Sequence, residues 1–118
     1  MKKTKKNENY LERIPVRPQH ISWTKDESGK VTLDIENKGI FNRIFQLLIK
    51  KPKISHIHLD EVGSFIWTAI DGQKNISELA LEAQQEFGEK INPLYERIAQ
   101  YFKILESYKF IEWKNKLS

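Results

Sequence analysis

Between residues 60 and 93 the chain carries three helix starts and two helix stops, and this punctuation constrains the fold more than any other feature. Asp60 precedes Glu61-Val-Gly-Ser-Phe-Ile-Trp67, where its carboxylate can accept from the free amides of a first turn. Asp71-Gly72 stops that segment, because glycine takes the left-handed conformation at little cost. Asn75 and Glu78 have the spacing of a capping box, and Gly88 ends the helix they begin. Asn92-Pro93 opens a third helix, with Asn92 as its cap and Pro93 at the first helical position, where a missing amide is harmless. The spacing predicts helices over 60–71, 76–87 and 93–109. Their apolar stripes are Val62, Phe65, Ile66, Ala69 and Ile70; Ile76, Leu79, Ala80, Ala83 and Phe87; and Leu94, Ile98, Tyr101, Phe102, Leu105 and Tyr108.

The region before these helices alternates instead. Ile21–Asp26 and Lys30–Glu36 flank Asp26-Glu-Ser-Gly29 and predict a β-hairpin, with Val31, Leu33 and Ile35 on one face. Lys53–Leu59 predicts a third strand, with Ser55, Ile57 and Leu59 on one face and Ile54, His56 and His58 on the other. Between the second and third strands the period changes. Ile40, Phe41, Ile44, Phe45, Leu47 and Leu48 share a helical face over 40–51, and Pro52 ends it. That apolar face is expected against the sheet or across a homodimer interface. Strands followed by helices indicate an α+β layered domain. Residues 1–16 read as a flexible basic tail and a Pro-punctuated lead-in, 17–113 as the domain, and 114–118 as a C-terminal tail. Phe110-Ile-Glu-Trp113 reads as a short strand or an extended lid.

The 118 residues carry a formal net charge of +4, unevenly spread. Lys2, Lys3, Lys5 and Lys6 form one basic block, and Lys38, Arg43, Lys50, Lys51 and Lys53 another. The rest has 11 basic residues against 16 acidic ones, a mildly acidic body. No apolar run approaches the roughly 20 residues of a membrane helix, and no apolar region follows the basic N-terminus as in a secretory signal. A soluble cytoplasmic protein is expected.

Chemistry is sparse. With no Cys, disulfides and thiolate sites are excluded, and five Gly spell no phosphate-binding loop. His56 and His58 point the same way, but a third metal ligand would have to come from Asp60, Glu61 or His20. Two half-exposed histidines on a strand's polar side are the simpler reading, so no metal and no cofactor are expected. Glu78, Glu82, Glu86 and Glu89 form one ridge, read as a solvated helix face or a docking surface for a basic partner. No nucleophile or paired acid and base is in view, which indicates a protein that is not an enzyme. Three helices after a β-region also suggest a winged helix-turn-helix regulator bound to DNA. Against this, Arg97, Gln100 and Lys103 on the third helix are offset by Glu96 and Glu106, and the second helix is acidic.

The ordered text His58-Leu-Asp-Glu-Val-Gly-Ser-Phe-Ile-Trp67, Ile70-Asp-Gly-Gln-Lys-Asn-Ile-Ser-Glu-Leu79, Phe87 and Leu105-Glu-Ser-Tyr-Lys-Phe-Ile111 resembles the PqqD family. These are small peptide chaperones named from pyrroloquinoline quinone biosynthesis. The resemblance runs from about residue 17 to 113, and the insertion over 38–53 is longer than a minimal member would carry. It implies a winged helix-turn-helix-like fold, with a small antiparallel three-stranded sheet, three helices, and an extra amphipathic helix between strands two and three. It also implies a non-catalytic module that binds the leader of a ribosomally made precursor peptide. Such a module presents the leader to a modifying enzyme, commonly a radical S-adenosylmethionine enzyme. Strand addition is the physical mode this suggests, an extended peptide pairing with an open sheet edge. Carried onto this chain, the edge is Ile54, Ser55, His56, Ile57 and His58, and the neighbouring groove of the third helix is lined by Tyr95, Ala99, Phe102 and Lys103.

Overall fold

In a computed structural model describing residues 10–37 and 53–114, the elements run β1 (Pro15–Val16), β2 (Ser22–Lys25), β3 (Val31–Asn37), β4 (Lys53–His58), α1 (Glu61–Ala69), α2 (Ile76–Phe87), a 3₁₀ turn (Gly88–Ile91), α3 (Leu94–Ser107) and β5 (Glu112–Trp113). The β2–β3 hairpin is set by Asp26. Its carboxylate accepts from the amides of Ser28 and Lys30 at 2.9 Å and from the Ser28 hydroxyl at 2.7 Å. Gly29 completes the turn at φ 92°, a conformation that side chains resist. β3 is the central strand of an antiparallel sheet ordered β2-β3-β4, in which Leu33 faces Trp23 on one side and Ile57 on the other. The amphipathic helix expected over 40–51 lies outside the described residues.

The helices begin as local chemistry dictates. Asp60 caps α1 by accepting from Gly63 N at 2.7 Å. Asn75 and Glu78 form a reciprocal capping box on α2, with both bonds 2.8 Å. Gly88 terminates α2 at φ 62°. The third start differs from expectation. Pro93, with no side-chain cap bond, occupies the cap position of α3, and Asn92 instead closes the 3₁₀ turn by donating its amide to Glu89 O at 3.1 Å. A tight turn directly before the helix has already claimed the residue that local spacing assigns to the cap.

The core lies where the sheet meets the helices. Val31 and Leu33 come from β3, Ile66, Trp67 and Ile70 from α1 and its end, Ile76, Leu79, Ala80 and Ala83 from α2, and Leu94, Ile98, Phe102 and Leu105 from α3. Two stripes shift from the sequence pattern. On α1 the fully buried side chains are Ser64, Ile66 and Trp67, while Val62, Phe65 and Ala69 are half-buried, because the helix is covered from more than one side. On α3 Tyr108 is 65% exposed, since it lies beyond the last helical turn and stacks on Phe110 at 5.5 Å.

The lead-in segment is built into this body from Tyr10 onward. β1 pairs with β5, Pro15 opposite Trp113 and Val16 opposite Glu112. The Arg13 guanidinium lies over the rings of Tyr10 and Trp113 at 5.4 and 5.6 Å, and Arg13 O accepts from Ile76 N at 3.0 Å.

Candidate functional site

Hydrogen-bond parity shows what β4 offers to its surroundings. Leu59 N donates to Val31 O at 2.9 Å. In an antiparallel ladder inward and outward residues alternate, so Ile57 and Ser55 also direct their amides toward β3. Ile54, His56 and His58 therefore turn both amide and carbonyl toward the outer edge. The β2–β3 side agrees. Asp26 N donates to Lys30 O at 2.9 Å, which puts Thr24 and Thr32, and Ser22 and Asp34, in hydrogen-bonded pairs. No described strand lies beyond β4.

The same parity makes Thr32–His58 and Asp34–His56 non-hydrogen-bonded pairs, whose side chains approach closely. His56 Nδ1 lies 2.6 Å from Asp34 Oδ1, and His58 Nδ1 lies 3.0 Å from Thr32 Oγ1. Both rings are exposed. Ile54 is exposed on this outer face as well, whereas Ile57 and Leu59 on the opposite face are half-buried against the core.

Ser64 clips the end of the β3–β4 ladder. Val31 N donates to Ser64 Oγ at 2.8 Å, and the Ser64 hydroxyl donates to Leu59 O at 3.3 Å. A helical side chain thus replaces one strand-to-strand bond and ties β4 to α1. Tyr101 adds a second tie by donating its hydroxyl to Gly63 O at 2.8 Å. Burial, and then the Asp60 carboxylate, push the Tyr101 phenol well above its ordinary value. Neither residue stands out as functional in the sequence. The usable signal is that a tyrosine in a buried stripe needs a partner for its hydroxyl.

Tyr101 also orients α3. Arg97 and Ile104 sit four and three residues from it and share its side of the helix, the side nearer Leu59 and the start of α1, and Tyr108 follows just past the end of the helix. Ile104 is 48% exposed there. The residues expected to line a groove fall elsewhere. Phe102 is fully buried and packs against Tyr101 and Trp113, a core position. Lys103 Nζ lies 5.4 Å from the Tyr10 ring, so it faces the N-terminal segment. Tyr95 and Ala99, eight and four residues before Lys103, lie along that same flank. The structure thus gathers Ile54, Ser55, His56, Ile57 and His58 on one strand, but sets Tyr95, Ala99 and Lys103 on the opposite flank of α3 from Tyr101.

The other edge of the sheet is a poorer platform. β2 has four residues, the Ile21 amide turns back to Pro18 O at 3.3 Å, and Arg17 covers Trp23 at 4.9 Å. A further open depression lies between the hairpin turn and helices α1 and α2, with Lys74 bridged to Glu82 at 2.6 Å on its wall. Among the described residues no group of three or more metal-ligating side chains gathers, and no helix is long and apolar enough to cross a membrane.

No curated protein and no solved structure matches the chain. The family described as coenzyme PQQ synthesis protein D (PqqD) does match, over residues 29–111, a span that takes in β3, β4, all three helices and the turn after α3. That span is most of the chain, and the protein belongs to the PqqD family.

Proposed function

We propose that this protein is a non-catalytic recognition module that captures the leader of a ribosomally made precursor peptide by strand addition at β4 and presents it to a modifying enzyme. A radical S-adenosylmethionine enzyme is the partner that the family relationship favours. The observation that carries the reading is the outward parity of Ile54, His56 and His58 on an edge strand. Three residues presenting both amide and carbonyl can form a ladder with an extended chain, and each bond contributes about 0.5–1.5 kcal/mol net. Family membership supplies the class of ligand. We read the whole as winged helix-turn-helix-like, with the β2–β4 sheet as wing and Ile104 and Tyr108 beside Tyr101 as the groove wall nearest the edge.

The test uses peptides enriched on the full chain from a random display library. His56→Pro and His58→Pro each remove one outward donor and leave the β3 ladder intact, because proline is tolerated where a strand amide faces away from its sheet. Both variants should keep their circular dichroism spectrum and lose peptide binding. His56→Ala and His58→Ala should weaken binding only modestly. Folded proline variants that bind as well as the parent would refute strand addition at this edge. Duplex DNA serves as the contrast. Arg97 is already engaged with Lys90 O at 2.8 Å and Glu86 and Glu89 are exposed, so DNA binding should be weak and collapse with salt. A salt-tolerant, sequence-dependent complex would favour a regulator instead.

A further inference from the structure

A strand added to β4 sets every second side chain over the outer face of the sheet, within reach of Ile54, His56 and His58. That face consists of polar rows crossing the three strands. Ser22, Asp34 and His56 form one row, and Thr24, Thr32 and His58 the next. Each row ends at β4, beyond which no described strand lies, in an imidazole whose Nδ1 turns inward, to Asp34 Oδ1 at 2.6 Å or to Thr32 Oγ1 at 3.0 Å. The two nitrogens of an imidazole diverge, so Nε2 is directed away from β3, toward the place of a fourth strand.

The chemistry of the inner partner decides what Nε2 can do. An ionised carboxylate only accepts, so His56 Nδ1 is the donor to Asp34, and in the neutral ring Nε2 is left as an acceptor. His58 is not fixed in this way, because the Thr32 hydroxyl can donate or accept. Charge points in the same direction. The outer face of β3 carries the Asp34 carboxylate beside His56, while β2 contributes Ser22 and Thr24. An accepting nitrogen beside a carboxylate fits a side chain that donates hydrogen bonds and carries positive charge.

We propose that His56, oriented by Asp34, is a specificity-determining residue that selects Lys or Arg at the outward position of the captured peptide beside it. This rests on strand capture at β4 and adds the side-chain class that the edge prefers. Main-chain pairing holds the peptide, and the His56–Asp34 pair sets which register of the peptide is favoured.

The experiment starts from peptides enriched from a random display library on the full chain, with hydrogen exchange of the β4 amides locating them. Enriched sequences should place Lys or Arg at one outward position. Replacing that residue by Met, which keeps length and removes donor and charge, should weaken binding to the parent about three- to tenfold. The same replacement should change little in His56→Ala, and His56→Gln, which retains an acceptor, should restore part of the preference. If peptides protect β4 but Lys→Met has the same effect on the parent and on His56→Ala, the selectivity assigned to His56 is wrong and strand capture stands. If no peptide enriches, or protection falls away from β4, strand capture fails and the selectivity fails with it.

Discussion

Replacing Ser64 by Ala tests the clip that joins the sheet to the helices. Ser64 is a buried polar side chain on α1, and its hydroxyl both accepts from Val31 N at 2.8 Å and donates to Leu59 O at 3.3 Å. Val31 is fully buried, so its amide has no water to turn to once the hydroxyl is gone. A buried donor left without an acceptor costs about 1–3 kcal/mol. Alanine returns about 0.5 kcal/mol through its better helix propensity. The net loss is therefore centred near 1.5 kcal/mol, which in a domain of this size lowers the melting temperature by about 6–12 °C. Urea and thermal unfolding followed by circular dichroism measure it. Ser77→Ala on α2 is the control, since Ser77 is only half-buried and should stay within about 0.5 kcal/mol of the parent. If Ser64→Ala unfolds together with the control, the hydroxyl is not holding the ladder end, and the account of how β4 is fastened falls.

Asn75→Ala removes the side-chain oxygen that accepts from Glu78 N, while the backbone amide of residue 75 keeps its bond to the Glu78 carboxylate, and should cost about 1 kcal/mol. Glu78→Ala, which spares the Asn75 side-chain bond and removes the acceptor for the Asn75 amide, should cost less but measurably, and a Glu78→Ala variant as stable as the parent would contradict the reciprocal cap. At high pH the Tyr10 phenol gives a signed expectation. Burial first, then the Glu106 carboxylate, opposed by Arg13, raise it from 10.0 to about 12. A raised folded-state value means that the associated stability is fully present below pH 10 and is lost as pH climbs through 12. Tyr10→Phe should therefore flatten the alkaline limb of a pH–stability profile, and an unchanged limb would show that the phenol is not the cause.

Much of the architecture is local and so was legible in the chain itself. The caps at Asp60 and at Asn75 with Glu78, and the stop at Gly88, act within three or four residues, and the structure shows each of them. The alternation in β3 and β4 was equally plain, because a strand buried on one face repeats every two residues. Departures begin where a second element enters. Ser64 and Trp67 lay outside the apolar stripe read for α1, yet both are buried, because the sheet and the other helices cover more of that helix than one stripe. Asn92 had the chemistry of a cap and lost that role to a neighbouring turn.

The candidate site divides along the same line. Sequence alone determined that Ile54–His58 would be a strand with its histidines on the polar face, since period-two patterning is carried by the residues themselves. It could not determine which flank of α3 lies nearer that strand. The rotation of a helix about its axis is set by its packing, and the Tyr101 hydroxyl on Gly63 O is what shows it. Nor could it determine which amides of β4 face outward. That parity depends on the register between β3 and β4, read from a bond between Leu59 and Val31 that are 28 residues apart, and shifting the register by one residue would turn every outward amide inward.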